Sequence, residues 1–426
     1  MDTQTLQKQQ ELYADLIVKI GINLQPGQSV RIGAELAHAD FARILTAKAY
    51  QAGARYVHVE WTDTPAQKAR MLYSQPDYLD FMPAYEVARM QEMVDDTWAR
   101  IALVGDEFPD FYDDVDPTVM RRLTVVRMQR FKTYYEAQMA MRLQWTVAAV
   151  PTPAWAQKIF PNLTAGAAMR RLWAEIFKLV RVDQVDPVAA WRSHVQTLQR
   201  AVAFMADNEI RSLHFLDSKQ IDGKAATDLT VGLTDGSLWS AGSAFRPDGV
   251  EFLPNMPTEE MFATPHRLRT EGWVRTSKPC FPLERQVENA CFHFEKGLVT
   301  DFSAEIGQQA LQQFFEIEGS RRLGEVALVD IGSPVNRSGR VFFETLFDEN
   351  AVCHIALGRA YTDIVKGAAE MSQDERTDYG INHSDTHVDF MIGTPTMDVI
   401  GTSASGKEIV IMKNGRFSAA VQGKVR

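Results

Sequence analysis

Apolar residues recur along the first half of the chain with two alternating spacings. Apolar positions three or four residues apart predict helices over residues 12–20, 40–52, 117–143, 165–179 and 187–206. Short β-rich runs between them predict strands over residues 29–33, 55–60, 99–105 and 145–150. Gly21 and Gly53 directly follow two of these helices, where glycine commonly ends a helix. Strands that alternate with helices favour an α/β fold with a largely parallel sheet.

The pattern changes near residue 208, and strands dominate from there. Predicted strands cover residues 212–217, 227–233, 272–276, 299–304 and 325–329. Glycine and proline between these runs are typical of turns. We therefore expect two domains, an α/β N-terminal domain over residues 1–207 and a β-rich α+β C-terminal domain over residues 208–426.

Composition narrows the class of protein. Hydrophobic residues make up 45% of the 426 residues, which is enough for packed cores. The net charge of −10 disfavours a nucleic-acid-binding protein, which normally carries a basic face. Three cysteines are too few for a disulfide framework and suit a reducing compartment. The opening residues have no signal-peptide pattern and no run of 18 apolar residues occurs, so we expect a soluble cytoplasmic protein without a membrane span.

Side chains that bind metals concentrate in one C-terminal stretch. They are Glu349, His354, Tyr361, His387 and Asp389. Imidazole and carboxylate groups together are typical ligands of a catalytic divalent cation. Their neighbours are apolar, where an unpaired charge would be costly and a bound cation would remove that cost. His387 and Asp389 are two residues apart in a strand pattern, which places both on one face.

Three glutamates upstream extend this set. Glu259 and Glu260 are adjacent in a segment bounded by prolines, and in an extended chain they point to opposite faces, so only one can line a given cavity. Glu325 begins an apolar strand pattern. Each has a plainer interpretation, as a solvent-facing acid pair or the charged edge of a strand.

The C-terminal candidates have plainer interpretations too. His387 and Asp389 would face water on a surface strand, His354 would bond to a backbone carbonyl in the core, and Tyr361 would be a core residue. The motifs HExxH, GxSxG, GxGxxG and the Walker loop are all absent.

Taken together, these segments resemble peptidase family M29, a family of metal-dependent aminopeptidases. The likeness spans nearly the whole chain and is carried by long motifs, Asn255-Met-Pro-Thr-Glu-Glu-Met-Phe262, Arg321-Arg-Leu-Gly-Glu-Val-Ala-Leu-Val329, Val341-Phe-Phe-Glu-Thr-Leu-Phe-Asp-Glu-Asn-Ala351 and His387-Val-Asp-Phe-Met-Ile-Gly393. Two departures touch no ligand. Ala263 stands where threonine is common, and residues 366–380 match no family pattern.

The resemblance implies an exopeptidase that removes N-terminal amino acids from short peptides through water activated by two divalent metal ions. It implies a C-terminal catalytic domain, a homodimer and the metal ligands Glu260, Glu325, Glu349, His354, His387 and Asp389. Mixed oxygen and nitrogen ligation suits zinc, cobalt or manganese. Tyr361 is placed to donate to the developing oxyanion. Glu259 or Glu325 would serve as general base if ligation leaves it available.

Two other classes of protein fit part of this pattern. His354, His387 and Asp389 also form the ligand set of a mononuclear Fe(II) ring-cleaving dioxygenase of the dihydroxypyridine type. One iron does not need Glu260 and Glu325 in addition, so these carboxylates favour two metals. A non-catalytic protein with a structural metal would be rich in cysteine, which this chain is not.

Overall fold

The computed structural model describes residues 2–108, 111–112, 114–221 and 223–423. Contacts divide the chain into two compact units. The first contains residues 1–192 and 243–257, and the second contains residues 193–242 and 258–426. The division falls inside a helix, and residues 243–257 return to the first unit. The boundary between residues 207 and 208 stays a prediction about independently folding domains.

The regular elements alternate in the first half of the chain and are mostly strands in the second. The helices are α1 Thr3–Leu16, α2 Ala39–Gln51, α3 Thr64–Tyr73, α4 Ala84–Asp95, α5 Pro117–Arg130, α6 Lys132–Met139, α7 Pro153–Ile159, α8 Ala165–Leu179, α9 Pro187–Asp207, α10 Gln308–Phe314, α11 Pro334–Arg337, α12 Thr345–Asp348 and α13 Gln373–Asp378. The strands are β1 Val30–Glu35, β2 Val57–Thr62, β3 Ala99–Val104, β4 Trp145–Ala149, β5 Ile210–Ile221, β6 Lys224–Leu233, β7 Ser240–Ala241, β8 Ala244–Phe245, β9 Glu251–Phe252, β10 Asn255–Met256, β11 Glu260–Ala263, β12 Pro265–Arg275, β13 Cys291–Glu295, β14 Leu298–Ser303, β15 Leu323–Val329, β16 His354–Gly358, β17 His387–Met391, β18 Met397–Ser403, β19 Glu408–Lys413 and β20 Arg416–Phe417.

The first unit is built on a parallel sheet with strand order β10-β4-β3-β1-β2. Ile32 of β1 pairs with Val59 of β2 and with Ile101 of β3, and Ile32 and Ile101 are fully buried. Leu172 and Ile176 lie on the buried face of helix α8. The α/β expectation for the N-terminal half is confirmed.

Two helices of this unit differ from their predicted bounds. The first begins at Thr3, where the Asp2 side chain accepts a hydrogen bond from the Thr5 N–H, and not at residue 12. Its first two turns are largely exposed and polar, so they carry no apolar periodicity. The single helix predicted over residues 117–143 is two helices, because the backbone leaves helical geometry at Phe131.

The second unit contains two antiparallel sheets. One has eight strands in the order β14-β13-β12-β6-β5-β18-β19-β20, and the other has five in the order β17-β16-β15-β11-β7. Strands β15 and β16 are buried along their whole length. Phe390 of β17 packs edge-on against Phe292 of β13, with ring centroids 5.0 Å apart, so side chains of both sheets share a core. This confirms the expected β-rich C-terminal domain. Among the helices that the structure describes, none has the length and apolar character needed to cross a membrane.

Candidate active site

Five of the eight candidate residues lie on one face of the five-stranded sheet. Directly paired residues of antiparallel strands point to the same face, and residues alternate along each strand. Asp389 pairs with Ala356, which pairs with Glu325, and Glu260 pairs with Val329 at the other end of β15. The residues on this face are therefore Glu260, Glu325, His354, His387 and Asp389. The opposite face is apolar and buried, which fixes the strand register and with it the position of the ligands.

One group of possible ligand atoms contains Glu260, Glu325 and His354. Their ligand atoms all lie within 4.8 Å of one another, and the three residues are buried. His354 Nε2 is 3.2 Å from Glu260 Oε2 and 3.9 Å from Asp389 Oδ1. These residues come from the starts of β11 and β16 and from the middle of β15.

A second group contains Glu325, His387 and Asp389, also within 4.8 Å of one another. His387 Nε2 is 3.2 Å from Glu325 Oε2 and 3.7 Å from Asp389 Oδ1. Glu325 belongs to both groups. A carboxylate with two oxygens is the ligand type that can serve two neighbouring cations.

Backbone carbonyls orient both imidazoles. His387 Nδ1 donates to the carbonyl of Arg359 at 2.7 Å, and His354 Nδ1 lies 3.4 Å from the carbonyl of Val352. A carbonyl only accepts, so the proton sits on Nδ1 and Nε2 faces the carboxylates. This is the usual arrangement of a metal-binding histidine.

The pKa values of the clustered side chains reflect an excess of negative charge. Burial raises the pKa of Glu325 and of Glu349, and the charge of Glu260 raises both further. Burial lowers the pKa of His354 and of His387, but their carboxylate neighbours outweigh it, Glu260 foremost for His354 and Glu325 for His387. The pKa rises to about 10 for His354 and to about 9 for His387. The carboxylates therefore outnumber the positive charges that the described chain supplies to them.

The residues present fit divalent cations. Glu260 Oε2 is buried, and His354 Nε2 lies 3.2 Å from it. A buried carboxylate oxygen and an imidazole nitrogen this close together are suited to share a cation. Carboxylate oxygens and imidazole nitrogens are a donor set that zinc, cobalt and manganese accept.

Glu349 lies beside this face and not on a strand, directly after α12. Its Oε1 is 3.4 Å from Asn350 Nδ2. Asn350 is fully buried, and its Oδ1 accepts a 2.6 Å hydrogen bond from the N–H of Glu259. Asn350 thus connects Glu349 to the residue before Glu260, although the two segments are 91 positions apart in the chain. No motif or spacing in the sequence marks Asn350 as a member of this site.

The ring of Tyr361 lies over the same face of the five-stranded sheet. Its ring centroid is 5.1 Å from that of His387 and 5.5 Å from that of Phe262. The charge of Glu325, followed by burial, raises its pKa well above the ordinary range, so the hydroxyl stays protonated. The residue remains 38% exposed, which leaves it accessible to a bound molecule.

Glu259 takes a different direction from its neighbour Glu260. It belongs to neither group of ligand atoms, and its Oε2 is 3.5 Å from Nε2 of His194 on α9. His194 Nε2 is also 2.8 Å from the carbonyl of Thr258. No sequence spacing signals this contact, because His194 lies on a helix 65 residues upstream.

The proteins to which this chain is similar include metalloproteases, in agreement with the arrangement of metal-binding side chains. The family model of the thermophilic metalloproteases, family M29, matches residues 6–417. The chain therefore belongs to family M29, and the enzyme is a metallo-aminopeptidase, a hydrolase.

Individual relatives match over nearly their full length. Aminopeptidase 2 of Geobacillus stearothermophilus is 37% identical over 413 residues, which cover 97% of this chain and 98% of that protein. Aminopeptidase T of Thermus aquaticus is 37% identical, with 95% and 97% covered. The structure of wild-type AmpT from Thermus thermophilus aligns with a TM-score of 0.86 at 36% identity, with 97% of this chain and 99% of that chain covered. The family resemblance inferred from the motifs is confirmed, and the dioxygenase alternative is not favoured.

Proposed function

We propose that this protein removes N-terminal amino acids from short peptides at a site that holds two divalent cations. The observation that carries the proposal is the position of Glu325, which belongs to both groups of ligand atoms. Two overlapping groups on one rigid sheet face fit two cations better than one. The proposed ligands are Glu260, Glu325, Glu349, His354, His387 and Asp389, and the cations are zinc, cobalt or manganese.

When bound, such cations lower the pKa of water and polarise the carbonyl of the scissile bond. The chain supplies the remaining chemistry. The Tyr361 hydroxyl, which stays protonated, donates a hydrogen bond to the oxygen on which negative charge develops. Glu259 is our candidate for the general base, because ligation does not require it, and the role needs its carboxylate to reach the water from its position beside His194. It takes a proton from water and passes it to the leaving amine.

Selectivity for a free N-terminus follows from what a free amino group can do at such a site. It can bind a cation or pair with a carboxylate that ligation leaves available, and an acetylated terminus can do neither. We include a broad tolerance for the first side chain, a cytoplasmic location and a homodimer in the proposal. The few cysteines support the location, and the resemblance to family M29 implies the assembly.

The test compares one tripeptide with a free and with an acetylated N-terminus, alongside elemental analysis of the metal-loaded protein. We expect two cations per chain and loss of most of the activity on the capped peptide. Similar rates on both peptides would rule out an exopeptidase. One firmly bound iron per chain, with oxygen uptake, would rule out the two-metal hydrolase.

A further inference from the structure

A cavity with several charged side chains in its wall lies in the second unit. Its volume is about 320 Å³, within the range of small-molecule sites, and none of the eight candidate residues lines it. Four charged side chains line it, Asp217, Lys219, Arg275 and Lys278. Three of the four are cationic, in a chain whose net charge is −10.

The one carboxylate in this wall does not neutralise the lysines. Asp217 is 1% exposed, and its Oδ1 accepts hydrogen bonds from the Lys219 N–H at 3.0 Å and from the Thr396 hydroxyl at 2.6 Å. Its Oδ2 accepts from the Thr394 hydroxyl at 2.8 Å. Arg275 has its own counter-ion, because it pairs with Glu305 at 2.5 Å.

The two lysines have no such partner, and Lys278 is the more buried of them. Its ammonium forms no hydrogen bond or ion pair with any residue that the structure describes, although the side chain is partly buried. Burial lowers its pKa, and Asp348 is the acid whose charge acts against this. Both oxygens of Asp348 already accept backbone hydrogen bonds, from Phe342 at 2.8 Å and from Glu344 at 3.2 Å. A partly buried ammonium that no carboxylate contacts directly is costly, and an anion in the cavity would offset that cost.

We propose that this cavity binds a small anion, a carboxylate or a phosphate, through Lys278. Neutral hydrogen-bonding side chains in the wall, Asn289 and Asn336 among them, suit a ligand with a polar body. The anion has two sources. One is the α-carboxylate of a peptide or amino acid, and the other is inorganic phosphate.

Calorimetric titration of the metal-loaded, full-length protein distinguishes these sources. The probes are inorganic phosphate, N-acetylglycine, whose carboxylate is free, and N-acetylglycinamide, which is neutral. Lys278→Met removes the charge and keeps the apolar stem. Lys407→Met is the matched control, since Lys407 is an exposed lysine that does not line the cavity. Anions bound to the cations of the cluster are affected by neither substitution.

We expect at least one anionic probe to bind, N-acetylglycinamide not to bind, and Lys278→Met to weaken the anion about tenfold, as loss of one charge-assisted hydrogen bond does. Lys278→Arg should keep the binding, which would show that a positive charge at this position is sufficient to bind the anion. Turnover of a leucine anilide, which has no carboxylate, should be unchanged in Lys278→Met. Binding of N-acetylglycine would identify a peptide carboxylate as the source, and binding of phosphate alone an inorganic one. Equal anion affinity in Lys278→Met and Lys407→Met, or no binding of either anion, would overturn the proposal.

Discussion

Glu60 and Glu325 are both strand glutamates, but their electrostatic surroundings are opposite. Glu60 lies in the parallel sheet of the first unit, and Glu325 lies in an antiparallel sheet of the second. Glu60 is held between two arginines, in an ion pair with Arg31 and 2.8 Å from Arg89. Burial raises its pKa, but the two guanidinium groups outweigh burial and lower it. Glu325 has only His387 as a hydrogen-bond partner among the described residues, and burial together with Glu260 raises its pKa.

The two glutamates differ in the source of their positive partner. Glu60 is paired within the chain, and Glu325 needs a bound cation. Around Glu60 the chain supplies its own positive charge, so the network is complete without a ligand. Around Glu325 it supplies further carboxylates, which is unfavourable in a buried site unless cations bind. Net charge within a cluster therefore distinguishes the two units better than the presence of acidic residues does.

Replacing Glu325 should give the largest effect on catalysis. We expect Glu325→Gln to lower kcat/KM roughly 10³-fold, because a catalytic cation contributes several kcal/mol and this residue serves both proposed positions. Fewer than two cations per chain should remain in elemental analysis. Glu60→Gln should keep two cations and normal turnover per folded molecule while it lowers the melting temperature. The comparison fails if both variants retain the same metal content.

Tyr361→Phe should have the next largest effect. Removing one donor to a developing oxyanion costs about 10²-fold in kcat. The KM and the metal content should stay close to those of the original protein, because the hydroxyl is not a proposed ligand. Tyr13 of the first unit is the control. Burial, and not a carboxylate, is the main cause that raises its pKa, and its hydroxyl lies 3.3 Å from the carbonyl of Ala149. Tyr13→Phe should leave kcat unchanged, and a similar kcat loss in both variants would argue against a catalytic hydroxyl.

Asn350→Leu should weaken metal binding about tenfold, as loss of a residue that positions ligands typically does. It removes the acceptor for the Glu259 N–H and the donor to Glu349. Excess metal should restore most of the kcat, which a fold defect would not allow. Competition with a chromophoric chelator measures the affinity, and Asn336→Leu, outside the cluster, serves as the control. Unchanged affinity in Asn350→Leu would show that the glutamates are held without this side chain.

Asn350 also shows where sequence reasoning stops. The alternation of His387 and Asp389 was readable from the sequence, because a strand places residues two apart on one face. The shared face of Glu260, Glu325 and His354 depends on the register of three strands, which the sequence did not give. Contacts such as Asn350 with Glu259 and His194 with Glu259 join distant segments without any repeated spacing. Apolar spacing continues across Phe131, so the pattern predicts one helix where the structure has two.

The smallest expected effect is a change in the pH dependence of stability. In the metal-free protein the pKa of His354 is raised from 6.5 to about 10. The protonated imidazole therefore contributes stability that is complete below pH 6.5 and is lost as the pH rises towards 10. The raised pKa of Glu325 acts in the same direction, because a rising pH ionises a carboxyl group whose protonated form the folded protein favours. Glu60, whose pKa is lowered, instead contributes stability above pH 4.5 and loses it on acidification.

We expect the melting temperature of chelator-treated protein to fall between pH 6.5 and 10. Bound cations should remove most of that slope, because they replace the proton as the positive partner of the carboxylates. Glu60→Gln should not alter the slope in this window. Equal slopes with and without metal would mean that the carboxylate cluster and the cations are not coupled, and the contrast between the two glutamates would lose its meaning for function.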